Sequence, residues 1–362
     1  MSEPSALHTP LCDLLGCQYP IVQTAMGWVA DARLVAATCN AGGFAFLAGA
    51  TIEPSQLEEE ILKVKSMTAR PFGINFHMFQ PNAAQVIDLA IAHGLRAVSY
   101  GRGPDKAVIR RFKDAGVLCM PTVGAVKHAV KAVELGADIV TIQGSEGGGH
   151  TGSVPTSILL PQVLDAVQVP VVAAGGFFDG RGLAMALAAG AVGIAMGTRF
   201  LMSKESPVPP QTLERYVAVR DPSHIRVSSV MDGLPQRMID NDFLSRLEQA
   251  SPLRRVWLSL QSARRWQQHT GMSTGQMLGM ASRALREDGA AVAQTLMAAN
   301  APMLIQRSMV EGHPDEGVLP SGQAAAAIAQ LDSCETIIQH IVTAAVERLN
   351  GVRQFTKTGV PA

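Results

Sequence analysis

The architecture this sequence predicts is a closed eight-stranded (β/α)8 barrel of the α/β class, carrying a mainly helical C-terminal insertion or lid. Three observations predict it. Between Pro20 and Met196, eight short β-branched apolar runs recur at intervals of about 20 to 30 residues. Each is followed by a loop with glycine or proline and then by a stretch with helical spacing of alanine, leucine and charge. After Phe200 that phrase stops, at a break marked by Pro207, Pro209 and Pro210.

In chain order the first four runs are Ile21-Val22-Gln23, Gly43-Phe44-Ala45-Phe46-Leu47, Phe72-Gly73-Ile74-Asn75-Phe76 and Ala97-Val98-Ser99. Val117-Leu118-Cys119-Met120, Ile139-Val140-Thr141-Ile142, Val171-Val172-Ala173-Ala174 and Val192-Gly193-Ile194-Ala195-Met196 follow. Short, continuously apolar strands belong to a parallel sheet covered on both faces. The intervening segments carry helix signals, such as Asp31 before Ala32-Arg33-Leu34 and Pro54 before Ser55-Gln56-Leu57. A doubly wound open sheet is the competing arrangement, but the first strand and loop lack a dinucleotide glycine fingerprint.

Residues 1–205 and 322–350 are therefore assigned to the barrel and 206–321 to a helical lid, with no strand expected between Thr212 and Asn300. Leu253 to Gln268 and Gly275 to Met297 read as its helices, with Trp257, Trp266 and several methionines as packing residues. A last alanine-rich segment, Gly322 to Leu349, should return to the barrel.

Composition excludes several classes. Of 362 residues, 47% are hydrophobic and 17% charged, so the chain can bury a large core and is neither disordered nor fibrous. The formal net charge is zero, which leaves no global field to hold nucleic acid or an anionic membrane. Five scattered cysteines, Cys12, Cys17, Cys39, Cys119 and Cys334, have no metal-ligand spacing and suit a reducing, cytoplasmic setting. The start lacks the features of a signal peptide, and no long apolar run suggests a membrane span.

The active site of such a barrel lies at the C-terminal ends of its strands. There the sequence places Thr24-Ala25-Met26-Gly27, Asn75, Gln143, Gly175-Gly176 and Met196-Gly197-Thr198. The run Gln143-Gly144-Ser145-Glu146-Gly147-Gly148-Gly149-His150-Thr151-Gly152 sets one histidine and one carboxylate among five glycines. Glycines admit close backbone approach to a ligand, so their N–H groups can converge on phosphate or ring oxygens. Gly176 and Thr198, after the last two strands, fit a phosphate cradle. His150 is the candidate catalytic residue, able to move a proton near neutral pH or to polarise an oxygen. Glu146 is expected to accept structural hydrogen bonds; His77, after Asn75 and Phe76, can face the pocket, but a satisfied structural histidine is the preferred reading and it is left out of the site.

Five ordered motifs, Pro20-Ile21-Val22-Gln23, Gly73-Ile74-Asn75, the glycine-rich run from Gln143 to His150, Ala174-Gly175-Gly176 and Met196-Gly197-Thr198-Arg199-Phe200, resemble the nitronate monooxygenase, or 2-nitropropane dioxygenase-like, flavoprotein family. The resemblance covers about the first 200 residues and resumes at the terminal helix. It implies a TIM barrel holding FMN without a covalent bond. Ala25 and Met26 would line the isoalloxazine, Asn75 and Gln143 would bond its polar edge, and Gly148, Gly176, Gly197 and Thr198 would hold the ribityl phosphate. Gly27, Gly144, Gly147, Gly175 and Met196 complete the implied cofactor-binding set.

Within that family the sequence departs from the monooxygenase members at Ala25 and at Trp28-Val29-Ala30, and a nitroalkane needs no large lid. Arg254, Arg255, Arg264, Arg265, Arg283 and Arg286 give the lid a basic bias suited to phosphate. The resemblance therefore implies hydride transfer on an unsaturated, steroid-ring-derived, hydrindane-type acyl-CoA thioester, with NADH or NADPH as electron partner. Oxidation of alkyl nitronates by oxygen is the alternative, and a non-catalytic ligand-binding barrel a second one. A homodimer through the helical segment is compatible with the sequence.

Overall fold

All eight predicted runs become strands of one closed parallel barrel in the computed structural model, which describes residues 7–78, 80, 82–101, 103–250 and 300–355. They are β1 (Ile21–Gln23), β2 (Phe44–Leu47), β3 (Gly73–Phe76), β4 (Ala97–Tyr100), β5 (Leu118–Val123) and β6 (Val140–Gln143). A two-residue strand, β7 (Gly149–His150), lies outside the barrel, which β8 (Val171–Ala174) and β9 (Gly193–Met196) complete. Neighbours in sequence are neighbours in space. Gln143 stands opposite Ala174 as β6 pairs directly with β8, and Val22 stands opposite Ala195 as β9 closes onto β1.

Burial follows from the alternation of side chains along each strand. Val22, Phe44, Phe46, Ala97, Met120, Val172 and Ala195 point into the barrel, whereas Ile21, Ile142, Ala173 and Ile194 pack outward under the helices. The helix Pro10–Leu15 sends Leu11 and Leu15, both fully buried, into the interior cluster and plugs the N-terminal end. The strand ends at the other mouth stay open for chemistry. Asp31, Asp105 and Asp179 each accept backbone N–H groups at a helix start, a cap that stabilises by about 1 kcal/mol. The terminal segment returns to the barrel as a 3-10 turn, Gln323–Ala327, and a helix, Cys334–Val352. That helix packs on Gly180–Ala188 so closely that a Cβ on Gly180 would meet the backbone of Ile341 and Ala345.

The insertion differs from its expected form. Instead of helices alone, it contains β10 (Ile225–Ser228), β11 (Gln236–Ile239) and β12 (Leu319–Pro320), with β10 and β12 each antiparallel to β11. β10 lies along one edge of β11, and β12 and β7 follow each other along the second. The reason the pattern misled is length. Four-residue strands show little periodicity, and Val227 is exposed while Arg226 turns inward to Glu248 (2.5 Å) and Asp240 (2.8 Å). Helices Pro210–Ala218, Asp242–Gln249 and Asn300–Met309 flank this sheet. Fully buried Tyr216 donates its hydroxyl to the carbonyl of Pro320 (2.8 Å), and Thr212 donates to that of Ser308 (2.6 Å), so two helices and β12 are tied together. The expected helices at 253–268 and 275–297, with Trp257, Trp266 and the arginine group, lie outside the described residues. No helix among the described residues is long and apolar enough to cross a membrane.

Candidate active site

A cavity of about 1170 Å³ occupies the C-terminal mouth of the barrel. Its lining brings together His150, Ala25, Met26, Gly27, Asn75, Gln143, Gly147, Gly148, Gly175, Gly176, Met196, Gly197 and Thr198. Gly144 is the exception. Its N–H donates to the carbonyl of Ala174 (3.0 Å), and a Cβ there would collide with Thr156, so its role is packing beneath the loop.

The glycine-rich loop is held at several points. Gln143 Nε2 donates to the carbonyl of His150 (2.8 Å), which folds the loop back over its own start. Glu146 behaves as the sequence suggests. Its carboxylate accepts from the N–H (3.0 Å) and hydroxyl (2.8 Å) of Thr156, capping the helix Thr156–Ala166 where Pro155 offers no side-chain cap. Gly148 touches the chain returning at Ser321 and Gly322, and Gly322 N–H donates to Thr198 Oγ1 (2.9 Å). Gly175 and Gly176 take φ of 101° and 82°, which side-chain-bearing residues rarely adopt.

His150 is anchored by the insertion. Its backbone pairs with β11, where Gln236 stands opposite it. Its Nε2 lies 2.7 Å from Oδ2 of Asp232, in the turn between β10 and β11. Asp232 also accepts from the amide of Gln236 (2.7 Å) and the N–H of Leu234 (3.0 Å). Burial alone would raise the Asp232 pKa, yet the bonds and charge of His150, Leu234 and Gln236 hold it below the ordinary carboxylate range. An ionised carboxylate accepts hydrogen bonds only, so the proton of a neutral His150 ring sits on Nε2 and Nδ1 is left with a lone pair. A histidine in that form can accept a proton at Nδ1.

Among the cavity-lining residues left out of the predicted site are Asp232, Gln236 and His77. Asp232 and Gln236 come from the unpredicted hairpin, whose one legible signal was Asp232-Gly233, with Gly233 at φ 82°. His77 was expected to be satisfied within the protein, but its ring lines the cavity and makes no hydrogen bond among the described residues. Only its backbone is held, its N–H donating to Gln80 Oε1 (2.9 Å).

A flavin fits these residues. Asn75 Nδ2 donates to the carbonyl of Ser99 (3.1 Å) and Gln143 Nε2 to that of His150, so both side-chain oxygens remain without a protein donor among the described residues. An acceptor of this kind at the mouth suits the one N–H of a flavin's imide edge. Gly176 and the helix start at Gly197-Thr198 supply a glycine cradle for a phosphate.

A closed parallel barrel with these features at its strand ends defines a flavin-dependent oxidoreductase. More narrowly, the chain belongs to the nitronate monooxygenase family, whose profile matches residues 8–344. A Rhodococcus jostii protein named (3aS,4S,5R,7aS)-5-hydroxy-7a-methyl-1-oxo-octahydro-1H-indene-4-carboxyl-CoA dehydrogenase is 44% identical over 348 residues, covering 96% of this chain and 98% of that one. A probable nitronate monooxygenase of Staphylococcus saprophyticus is 31% identical over 290 residues, covering 67% and 81%. The structure of FabK from Thermotoga maritima superposes with a TM-score of 0.80 at 28% identity, covering 97% of this chain and all of that one.

Proposed function

We propose that this protein is an FMN-dependent oxidoreductase acting between Cα and Cβ of a hydrindane-type acyl-CoA thioester, with NADH or NADPH as electron partner. The observation that carries the reading is the His150–Asp232 pair, which presents one basic nitrogen in a cavity with room for cofactor and substrate together. At about 1170 Å³ the cavity exceeds the roughly 300–1,000 Å³ typical of a site for one small molecule. The relative named as a carboxyl-CoA dehydrogenase, similar across nearly the full length of both chains, supports the thioester class.

Bound FMN would supply the acceptor or donor of the hydride. Gly148, Gly176, Gly197 and Thr198 would hold its phosphate, Asn75 and Gln143 its polar edge, and Ala25 and Met26 its ring. His150 takes the Cα proton at Nδ1 in the oxidative direction and returns it in the reductive one. Asp232 keeps that nitrogen free and steadies the charge that His150 gains. Five free cysteines fit a reducing, cytoplasmic setting.

Anaerobic titration of the holoprotein tests the reading. Bleaching of the flavin bands by a saturated hydrindane-carboxyl-CoA, with recovery on adding NAD⁺ or NADP⁺, is the expected result. Bleaching by alkyl nitronates alone would replace it with nitronate oxidation.

A further inference from the structure

His77 lines the cavity at the end of a barrel strand, and the proposed function has no use for it. It follows Asn75 and Phe76 at the end of β3, while His150 stands on the loop after β6. In the barrel order these strands are three places apart, so the two histidines approach the cavity from different sides of the mouth. Their surroundings differ in kind. His150 is bonded to a carboxylate, whereas among the described residues the His77 ring has no hydrogen-bond partner and no carboxylate acting on it.

We propose that His77 is the hydrogen-bond donor to the thioester carbonyl oxygen of the substrate, an inference that rests on the acyl-CoA reading above. Its chemistry is set by what surrounds it. Although its side chain is partly open, desolvation by the cavity walls lowers its pKa from the ordinary 6.5, as does His150 once that ring is protonated, so at pH 7 the neutral ring with one N–H to donate is favoured. His150 is the only charged or titratable group acting on it among the described residues, and Asn75, Phe76 and Gln80 nearby are uncharged.

The reaction needs such a donor. As the Cα–H bond breaks, its proton goes to His150 Nδ1 and its electron pair spreads onto the thioester oxygen. As the hydride leaves Cβ for the flavin, that pair forms the Cα=Cβ bond, so the substrate is oxidised by two electrons and the cofactor reduced by two. Negative charge peaks on the oxygen midway. A neutral N–H fixed there stabilises it without giving up its proton.

The test uses cyclohexene-1-carboxyl-CoA, labelled with carbon-13 at the thioester carbonyl, bound to the oxidised holoprotein and read by difference infrared spectroscopy. Wild-type protein is expected to shift the carbonyl stretch to lower wavenumber. His77→Phe should keep its flavin and bind the probe without that shift, with kcat on the saturated thioester lower by about 10²- to 10³-fold and little change in KM. His77→Gln, which restores an N–H, should recover part of the shift. A full shift in His77→Phe overturns the assignment while leaving the acyl-CoA reading intact. No probe binding and no flavin perturbation by any acyl-CoA in wild-type protein overturns both.

Discussion

Asp232 Oδ2 lies 2.7 Å from His150 Nε2, although 82 positions separate them and each belongs to a different part of the fold. The barrel supplies the histidine, and the insertion decides which of its nitrogens faces the cavity.

Replacing that carboxylate separates orientation from chemistry. Asp232→Asn keeps an acceptor for the Leu234 N–H but loses the charge beside His150. The kcat on the thioester is expected to fall about 10- to 100-fold with flavin content unchanged. Steady-state kinetics check this, and wild-type kcat in the variant would sink the role.

The cradle after β9 can be narrowed by one methyl. A Cβ on Gly197 would meet Thr24 Oγ1 at 3.1 Å and Met26 Sδ at 3.5 Å, contacts that small side-chain movements relieve. Gly197→Ala should therefore fold, yet crowd the cofactor by about 1–3 kcal/mol, or roughly 10- to 100-fold in flavin affinity. Fluorescence titration of the apoprotein with FMN measures it. Unchanged affinity would place the phosphate elsewhere.

Glu146 is assigned to structure and not to proton transfer. Its loss removes the acceptor for the Thr156 N–H and hydroxyl, so Glu146→Ala should destabilise by about 0.5–2 kcal/mol. Denaturant unfolding reads the change. A variant of wild-type stability would contradict the cap.

Two depressed pKa values act in the same direction at different pH. His77 binds protons less readily in the folded state than in the unfolded one, so stability is present above pH 6.5 and is lost as pH falls below it. Asp232, also depressed, adds stability that is present above pH 3.8 and is lost as pH falls through its lower folded value. Thermal melting between pH 5.5 and 7.5 should show a decline toward acid that is smaller in His77→Gln. Equal slopes would show that His77 titrates alike in both states.

The barrel was legible because its signal is repeated and local. Each strand is a short, mainly apolar and mainly buried run, and caps such as Asp31 mark the helices between them. The glycine loop, His150 and the strand-end residues could be read by the same logic, since the fold fixes where strand ends lie. Gly144 could not be told from its neighbours, because a glycine that avoids Thr156 and one that approaches a ligand look alike in sequence. Asp232 and Gln236 were hidden for another reason. Their hairpin strands are four residues long, and their importance comes from contact with a loop far earlier in the chain.

The pairing of β7 with β11 also sets an order of events. Most barrel strands pair with the next strand along, so their loops close at modest entropic cost, whereas β7 must wait for a partner made much later. A nascent chain can thus close its ring of strands before it owns a working centre. Chemistry would be switched on by the arrival of the hairpin, and any segment exchanged there would retune the enzyme without disturbing the barrel that carries it.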